Sequence, residues 1–504
     1  MMSSFGSADA PVAGCASPTT AGSGAGPTLS RKIPADVVVA ILIGVGLLLR
    51  LAFLAEHFNQ DWEPDGYKHV IISKATFAAL PGSLWYAVDV WAKPVYTLFY
   101  AVLYKVLPAS WPAVVIAQVT NSVMWTAASV LVLGMARSLF QNRYTLIVIA
   151  AFSAFAYVSF RASVSANTEP FGALVFAVGM LLLSKRYTTA ALFAFGSEIL
   201  IRMDAVFCVS VFPLWVVGRV MLDRDLGLAD RLWRSVRYGA AFALPLFVWN
   251  LAGFWHTGSP LFVLTNGYPT TAGIYGFGNA TYYLREFLHF DPLLFLAFLA
   301  GSILILVRRQ SELLVVFAVA ALVYFVVMAV FWVLGAFGSA GLLRYFVFQY
   351  PLWLLIAGVA IEAALTLLQR HARGWTGRTV AAVCLLSLLQ LHWLVREPLW
   401  YNSVLTRVPD NRARNLPALL VPLGPLPLYT DRPDILYYLG RDQRYGDSHP
   451  IATVRRPDQN GIFVFTQGWT EQYSGLAGND FAGLREFTEL RGPWGEIFHV
   501  YVRQ

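Results

Sequence analysis

Apolar segments long enough to cross a lipid bilayer recur along this chain from residue 35 to residue 396. A transmembrane helix needs about 20 mostly apolar residues because its backbone polar groups must be satisfied within the segment. Of the 504 residues, 57% are hydrophobic and only 13% are charged, whereas soluble domains have about 25% charged residues. The sequence therefore predicts an all-α polytopic membrane protein rather than a soluble core.

The net charge of +8 does not indicate nucleic-acid binding, because the basic residues lie in small clusters between apolar runs. The three cysteines, Cys15, Cys208 and Cys384, have no metal-ligand spacing, and two of them lie in apolar runs. We expect neither a zinc site nor a disulfide framework.

The apolar runs form eleven predicted spans if residues 94–108 lie in the membrane interface instead of crossing it. That short run has a lysine near each end and aromatic residues throughout, which is typical of an interfacial helix. The first span lies within 34–55, and the others are 113–136, 144–161, 170–184, 188–201, 204–218, 238–255, 292–307, 312–334, 346–368 and 378–396.

The basic residues between the spans favour this topology, since positively charged loops stay in the cytoplasm. They all fall on one side, an order that is lost if 94–108 is counted as a span. The residues are Arg31, Lys32, Arg137, Arg143, Lys185, Arg186, Arg219, Arg224, Arg231, Arg234, Arg237, Arg308, Arg309, Arg370, Arg373 and Arg378. We therefore expect a cytoplasmic N-terminus, a first external loop at 56–112 and an external C-terminus.

Both ends of the chain differ in composition from the apolar region. Residues 1–34 begin with a stretch rich in Ser, Gly, Ala, Pro and Thr that predicts a disordered cytoplasmic tail. Residues 398–504 predict a small external α/β domain, in which "LPLYT" and "IFVFTQ" are strands, "DRPDILYYLG" is a turn and helix, and "FTELRGPWGEIFHVYV" is a hairpin around "GPWG".

Polar residues that do not set the orientation gather at the predicted external ends of the spans. They come from four segments, and we expect them to form one site. The residues are Asp61, Glu63, Asp65, Lys68, His69 and Lys93 in the first loop, Arg161, Asn167 and Glu169, then Arg202 and Asp204, and finally Arg344.

Each of these charges has a structural as well as a functional interpretation. Asp65, in "DWEPDGYKH", is either a helix-capping carboxylate or a functional one. Glu169 lies at the mouth of an apolar segment, where a carboxylate is usually functional or paired. Glu198 and Arg202 are four residues apart, so we expect them to form an internal ion pair on one helix. Arg344 is either a snorkelling interface residue or an anion ligand.

In this order, several motifs resemble those of the C-type membrane glycosyltransferases that use polyprenyl-phosphate sugars. This superfamily includes protein O-mannosyltransferases and lipid A aminoarabinose transferases. The stretches "EPDGYKHVIISKAT", "KPVYTLFYAVLYKVLP" and "SANTEPFGALVF" are similar to its first acidic motif, its interfacial helix and its second acidic motif. "LIRMDAVF" and "LLRYFVFQYPLWLLIAG" are similar to later arginine-containing motifs. Together these motifs cover residues 35 to about 370.

The resemblance implies that residues 35–397 form a transmembrane catalytic domain that transfers a sugar, mannose or another hexose or pentose, to an acceptor hydroxyl with inversion. It implies catalytic roles for Asp65 and Glu169, binding of the donor phosphate by Arg344, Lys93 and Arg202, and a sugar pocket lined by Tyr67, His69 and Tyr345. Many members have two adjacent acids where this chain has Asp65 and Gly66. Whether the activity needs a divalent cation, Mg²⁺ or Mn²⁺, therefore stays an open question, with Glu63 as the possible ligand.

The partners implied are a polyprenyl-phosphate sugar, membrane lipids and a lipid, polysaccharide or protein acceptor. A bacterial inner membrane, with the active site and C-terminus periplasmic or extracellular, is the expected location. The alternative function is a transporter or flippase of lipid-linked sugars, which predicts ionisable residues near the bilayer midplane and two similar halves. The sequence has mostly terminal charges and no two-fold pattern.

The position of the short apolar run decides the topology and can be measured directly. A reporter fused after Lys105 should give an external signal, because residues 94–108 are expected to lie in the outer interface. Enzymatic reporters with opposite compartment requirements would measure this. A cytoplasmic signal at the same position would overturn the topology.

Overall fold

The computed structural model describes residues 34–59, 61, 64–79, 85–88, 93–108, 110–265, 277–308, 311–336, 341–392, 419–423, 426–438, 450–458, 460–466, 470–471, 475–491 and 497–503. Residues 1–33 of the predicted tail, Glu63 and the "GPWG" turn lie outside these residues. The α-helices are α1 (Ala35–Glu56), α2 (Pro64–Ala79), α3 (Trp85–Val88), α4 (Pro94–Val106), α5 (Ala113–Leu139), α6 (Arg143–Phe155), α7 (Tyr157–Ser163), α8 (Glu169–Ser184), α9 (Thr188–Glu198), α10 (Val206–Val209), α11 (Val211–Leu222), α12 (Leu228–Thr257), α13 (Phe262–Thr265), α14 (Tyr282–Phe290), α15 (Pro292–Arg308), α16 (Glu312–Leu334), α17 (Tyr350–His371), α18 (Thr376–Leu389) and α19 (Pro433–Tyr438).

Short 3₁₀ helices connect several of these elements. Two of them, Met203–Ala205 and Leu343–Gln349, carry residues of the candidate site. The others are Arg373–Trp375, Gln390–His392, Val421–Leu423, Pro450–Arg455 and Gly478–Phe481.

Six described helical stretches are long and apolar enough to cross a membrane: Ala35–Glu56, Ala113–Leu139, Met203–Leu222, Leu228–Thr257, Glu312–Leu334 and Leu343–His371. Helices α6 and α7 make a seventh if they are taken as one span bent by 51°. The predicted all-α polytopic fold is therefore confirmed. A helix lies at each of the eleven predicted positions, although α8, α9, α15 and α18 are short, so the count of eleven crossings stays a prediction.

Helix boundaries follow local capping chemistry. The Asn142 side chain accepts a hydrogen bond from Tyr144 N at 3.1 Å and starts α6. Ser311 caps α16, which ends at Gly335 in the left-handed region, where glycine has no steric penalty. Helix α4 begins at Pro94, whose fixed φ suits the first turn, and has only 13 residues. Its length of about 20 Å is too short for a bilayer crossing, consistent with an interfacial helix.

A glycine lets helices α15 and α17 approach closely. A Cβ atom on Gly301 of α15 would lie 2.0 Å from the Ile356 carbonyl oxygen of α17. The rings of Phe298 and Trp353 stack beside this contact, with centroids 4.4 Å apart. Such close backbone approach is typical of helix pairs in membranes, where packing rather than water exclusion drives association.

The close contact at Gly301 predicts a specific destabilisation. Gly301→Ala should lower the free energy of unfolding by about 1 to 3 kcal/mol, because the added methyl group forces α15 and α17 apart. The melting temperature of the detergent-solubilised protein measures this. Gly134→Ala is the matched control, since a Cβ atom at that position would have nothing within 4 Å. Equal effects of the two changes would contradict the packing explanation.

The C-terminal residues form a four-stranded mixed sheet in the order β1-β2-β4-β3, as predicted for an α/β domain. Its strands are β1 (Leu428–Tyr429), β2 (Gly461–Thr466), β3 (Arg485–Arg491) and β4 (Ile497–Arg503). Strand β1 pairs parallel with β2, while β2 with β4 and β4 with β3 are antiparallel. All six residues of β2 are buried, because the sheet carries a hydrophobic cluster on each face.

This domain packs directly on α2. Ile71 of α2 belongs to the hydrophobic cluster of Leu428, Ile435 and Val464. Tyr437 of α19 packs against Tyr67, with ring centroids 5.2 Å apart. The sheet therefore supports the helix that begins the candidate site.

Candidate active site

Asp61 connects the first loop to the segment between α7 and α8. Its side chain is only 3% exposed. It accepts hydrogen bonds from Ser165 Oγ at 2.8 Å and from Ala166 N at 2.7 Å. A Cβ atom on Gly66 would lie 2.2 Å from the Asp61 carboxylate, so glycine permits this close approach. The Asp61 carboxylate therefore binds the neighbouring loop and fixes it to the start of α2.

Asp65 lies in the first turn of α2 and pairs with Arg344, 279 residues later in the chain. The Arg344 Nη2 donates to Asp65 Oδ2. The Asp65 side chain is 40% exposed, whereas that of Arg344 is 9% exposed. Burial raises the pKa of Asp65, but Arg344 and Lys68 outweigh it and hold the pKa below its usual value. The carboxylate is thus ionised at the accessible edge of the site.

Glu169 joins two arginines at the start of α8. Arg202 Nη1 donates to Glu169 Oε1 at 2.5 Å, and Arg344 Nε lies 3.6 Å from the same oxygen. Arg202 Nη2 also donates to Asp204 Oδ2 at 2.9 Å. The result is a chain of alternating charges, Asp65, Arg344, Glu169, Arg202 and Asp204. Buried charges are tolerated when each is paired in this way.

Two tyrosines complete this chain of charges. Tyr324 of α16 donates to Asp204 Oδ2, and its oxygen lies 3.0 Å from the Tyr345 carbonyl oxygen. The Tyr345 ring lies 4.8 Å from the Arg202 guanidinium carbon and 5.9 Å from that of Arg344. Tyr345 therefore offers its π face to both cations, an attractive arrangement that keeps the arginines beside each other.

The predicted ion pair between Glu198 and Arg202 does not form. Helix α9 ends at Glu198, and Arg202 has extended backbone with φ −145°. The four-residue spacing brings side chains together only within a continuous helix, so the expected contact is lost. The two Glu198 carboxylate oxygens have no hydrogen-bond partner among the described residues. The prediction was wrong because Arg202 turns to Glu169 and Asp204.

Lys93 is buried at the start of α4 and has φ 57°, a left-handed conformation that is uncommon outside glycine. Burial lowers the pKa of Lys93 to about 8, despite the opposing effect of Asp204. Burial likewise lowers the pKa of His69 to about 3, so its imidazole is neutral at physiological pH. Both residues interact electrostatically with Asp65, which places them beside the charge chain.

The candidate pocket residues differ in accessibility. Tyr345 is partly exposed. His69 is 7% exposed and its Nδ1 has no hydrogen-bond partner among the described residues. Tyr67 is only 1% exposed, accepts a hydrogen bond from Asp61 N at 2.8 Å and packs on Tyr437. In this conformation, the Tyr67 ring is covered by its neighbours, so it supports α2 and has little surface that a ligand could contact.

Metal-binding geometry occurs elsewhere in the described part of the chain. Glu486, Glu489 and His499 of the C-terminal sheet place their ligand atoms within 4.8 Å of one another. Asp65 and Glu169 instead pair with arginines. Because Glu63 lies outside the described residues, its possible metal-binding role stays a prediction.

Sequence reasoning missed several residues that hold the site together. Asn121 of α5 donates to the carbonyls of Ser165 and Asn167, each at 2.7 Å, and fixes the loop before Glu169. Tyr324 gave no signal, since it is one aromatic residue within an apolar run. A charged residue inside the first span, Arg50, was a visible signal because such charges are rare in membrane helices.

No family model and no curated protein sequence matches the chain. Two solved structures of ArnT from Cupriavidus metallidurans are similar to it. The one bound to undecaprenyl phosphate has 14% sequence identity and a TM-score of 0.56, covering 93% of this chain and 98% of that one. The one in the apo state has 13% identity and a TM-score of 0.59, covering 92% and 98%. The chain therefore has the ArnT fold over more than nine-tenths of its length, which confirms the fold implied by the resemblance.

Proposed function

We propose that this protein is a membrane glycosyltransferase that transfers a sugar from a polyprenyl phosphate to an acceptor hydroxyl. The observation that carries the proposal is the chain of charges from Asp65 to Asp204. It combines an accessible carboxylate with two adjacent guanidinium groups at the ends of membrane helices. The ArnT fold supports the same class of donor, since one ArnT structure holds undecaprenyl phosphate.

The reaction is a single displacement at the anomeric carbon. The acceptor oxygen forms a bond to this carbon as the bond to the phosphate oxygen breaks, and the phosphate leaves with the electron pair. The hydroxyl proton passes to a carboxylate, for which Asp65 is the candidate. Such proton transfer contributes about 10² to 10⁴ to the rate, while fixed cations stabilise the growing charge on the leaving phosphate.

Binding of the donor activates Asp65 in this scheme. The ion pair with Arg344 holds the pKa of Asp65 low, which makes the resting carboxylate a weak base. A donor phosphate that takes hydrogen bonds from Arg344 draws positive charge away from Asp65. The pKa of Asp65 then rises towards its usual value, so the base strengthens only when the donor is present.

The remaining candidates have distinct parts in donor recognition. Arg344 supplies a planar pair of donors for phosphate oxygens, while Lys93 supplies a compact charge. Arg202 is already paired with Glu169 and Asp204. It therefore stabilises the phosphate charge at a distance, without contacting the phosphate directly. Tyr345 and His69 line the sugar side, and Glu169 orients the two arginines.

The finer features of the reaction belong to the same proposal. The sugar is mannose or another hexose or pentose, transferred with inversion, and the acceptor is a lipid, polysaccharide or protein. We place the site on the periplasmic or extracellular face of a bacterial inner membrane, with the N-terminus in the cytoplasm. If Mg²⁺ or Mn²⁺ takes part, Glu63 is the proposed ligand, and the steps above do not depend on it.

Asp65→Asn tests the proposed base. The value of kcat should fall at least about 100-fold, since the amide cannot accept the hydroxyl proton at neutral pH. Turnover of polyprenyl-phosphate sugars by protein reconstituted in lipid measures this, and the melting temperature checks folding. Asp230→Asn, at an exposed position of α12, makes the same chemical change and should keep full activity. Wild-type turnover by Asp65→Asn would remove Asp65 as the base.

The lowered pKa of Lys93 leads us to expect weaker donor binding at alkaline pH. Because the pKa of Lys93 is about 8, the ammonium group is charged below this pH and neutral above it. The value of kcat/KM for the donor should therefore fall up to tenfold per pH unit above about pH 8. Lys93→Arg should move this fall to higher pH, because arginine stays charged. The exposed Lys74→Arg is the matched control and should leave the profile in place.

A further inference from the structure

The span formed by α6 and α7 is broken at Ala156, thirteen residues before Glu169. The two helices meet at 51°, and Ala156 has non-helical ψ 124°. A break inside a buried span leaves the last carbonyl groups of one helix and the first amide groups of the next without helical partners. Such groups must be satisfied by other parts of the protein, because lipid offers none.

Two buried charged side chains from distant segments form hydrogen bonds with the backbone groups at the break. Asp291 accepts hydrogen bonds from Tyr157 N at 2.6 Å and Val158 N at 3.2 Å, the first amides of α7. Arg50 of α1 donates through Nη1 to the Ala154 carbonyl at 2.9 Å, near the end of α6. The anion therefore lies at a helix start and the cation at a helix end, as the peptide dipoles favour. Arg50 forms no ion pair with a carboxylate among the described residues.

Each charge also contacts a segment that leads to the candidate site. Arg50 Nε donates to Ser163 Oγ at 2.7 Å, at the last residue of α7. Asp291 Oδ2 accepts a hydrogen bond from Tyr350 Oη at 2.8 Å. Tyr350 begins α17, six residues after Arg344. Asp291 thus bonds to the start of the helix before Glu169 and to the start of the helix after Arg344.

The segment between Ser163 and Glu169 connects the end of α7 to the start of α8. Ser122 Oγ donates to the Ser163 carbonyl at 2.9 Å, and Asn121 fixes the carbonyls of Ser165 and Asn167. All of these side chains are buried. The segment is thus held to α5 and continues directly from α7 to Glu169, so the positions of both helices bear on that of Glu169.

We propose that Asp291 and Arg50 are positioning residues that fix Glu169 against Arg344. Asp291 joins the start of α7 to Tyr350, and Arg50 joins the end of α6 to the last residue of α7. Satisfying the broken backbone requires only a polar group at each end, whereas Asp291 and Arg50 also bond to Tyr350 and Ser163, next to the segments that carry Arg344 and Glu169. These second contacts are the ones we assign to positioning. The effect on catalysis rests on the proposed function, whereas the effect on backbone position does not.

Tyr350→Phe tests the inference, because it removes one hydroxyl group and leaves Asp291 capping α7. We expect kcat/KM for the donor to fall about tenfold, the range for a lost hydrogen bond to a charged group, with an increase in donor KM. Tyr283→Phe is the matched control. Its hydroxyl has no hydrogen-bond partner among the described residues. Its ring packs on Phe346, in the 3₁₀ helix that carries Arg344. The control should keep wild-type kinetics.

A double mutant separates positioning from a general loss of packing. If Tyr350 acts through Arg344, then Tyr350→Phe should have little further effect in an Arg344→Lys background. Full additivity of the two changes, or a fall in kcat proportional to lost folded protein with KM unchanged, would overturn the inference. Asp291→Asn keeps an acceptor for α7 and should retain more activity than Asp291→Ala.

Hydrogen exchange tests the same inference without any substrate. In Tyr350→Phe, the amides of residues 343–349 should exchange several-fold faster than in Tyr283→Phe. Unchanged exchange would overturn the positioning role even if the enzyme is active. Faster exchange in a protein that does not use polyprenyl-phosphate sugars would support positioning and refute the proposed function, so the two failures are distinguishable.

Discussion

A single carboxylate oxygen, Glu169 Oε1, receives two guanidinium groups, and the candidate site is arranged around it. Two arginines brought together in a low-dielectric interior repel each other unless an anion lies between them. Glu169 supplies this anion at the N-terminus of α8, where the helix dipole also favours negative charge. Two neighbouring cations can therefore be buried together without a large folding penalty.

The need to pair each buried charge with an opposite one explains why the site is built from so many segments. Its charges come from the first turns of α2 and α8, the turn before α10 and the 3₁₀ helix before α17. Each contributes one or two charges, and the segments that carry the two arginines are short and irregular. Irregular backbone at membrane depth is tolerated when it is buried in protein, so the surrounding helices hold the loops by side-chain hydrogen bonds such as those of Asp61 and Asn121.

The sequence was sufficient to predict the fold and to identify four charged residues that the structure brings together. Asp65, Glu169, Arg202 and Arg344 each lie beside a long apolar run, where an ionisable residue is uncommon and stands out. The partners within the site were harder to predict. Glu198 and Arg202 have helical spacing, but α9 ends before the pair can form. Asp61, Tyr324 and Asp291 depend on contacts across distant helices, which local spacing does not encode.

The packing of the C-terminal domain on α2 has a consequence for biosynthesis. The Tyr437 hydroxyl donates to Asn59, 378 residues earlier in the chain, and its ring covers Tyr67, two residues after Asp65. The ribosome delivers these partners at opposite ends of translation. The first turns of α2, which carry Asp65 and Tyr67, therefore cannot complete their packing until nearly the whole polypeptide has been made, so a truncated nascent chain would lack this packing.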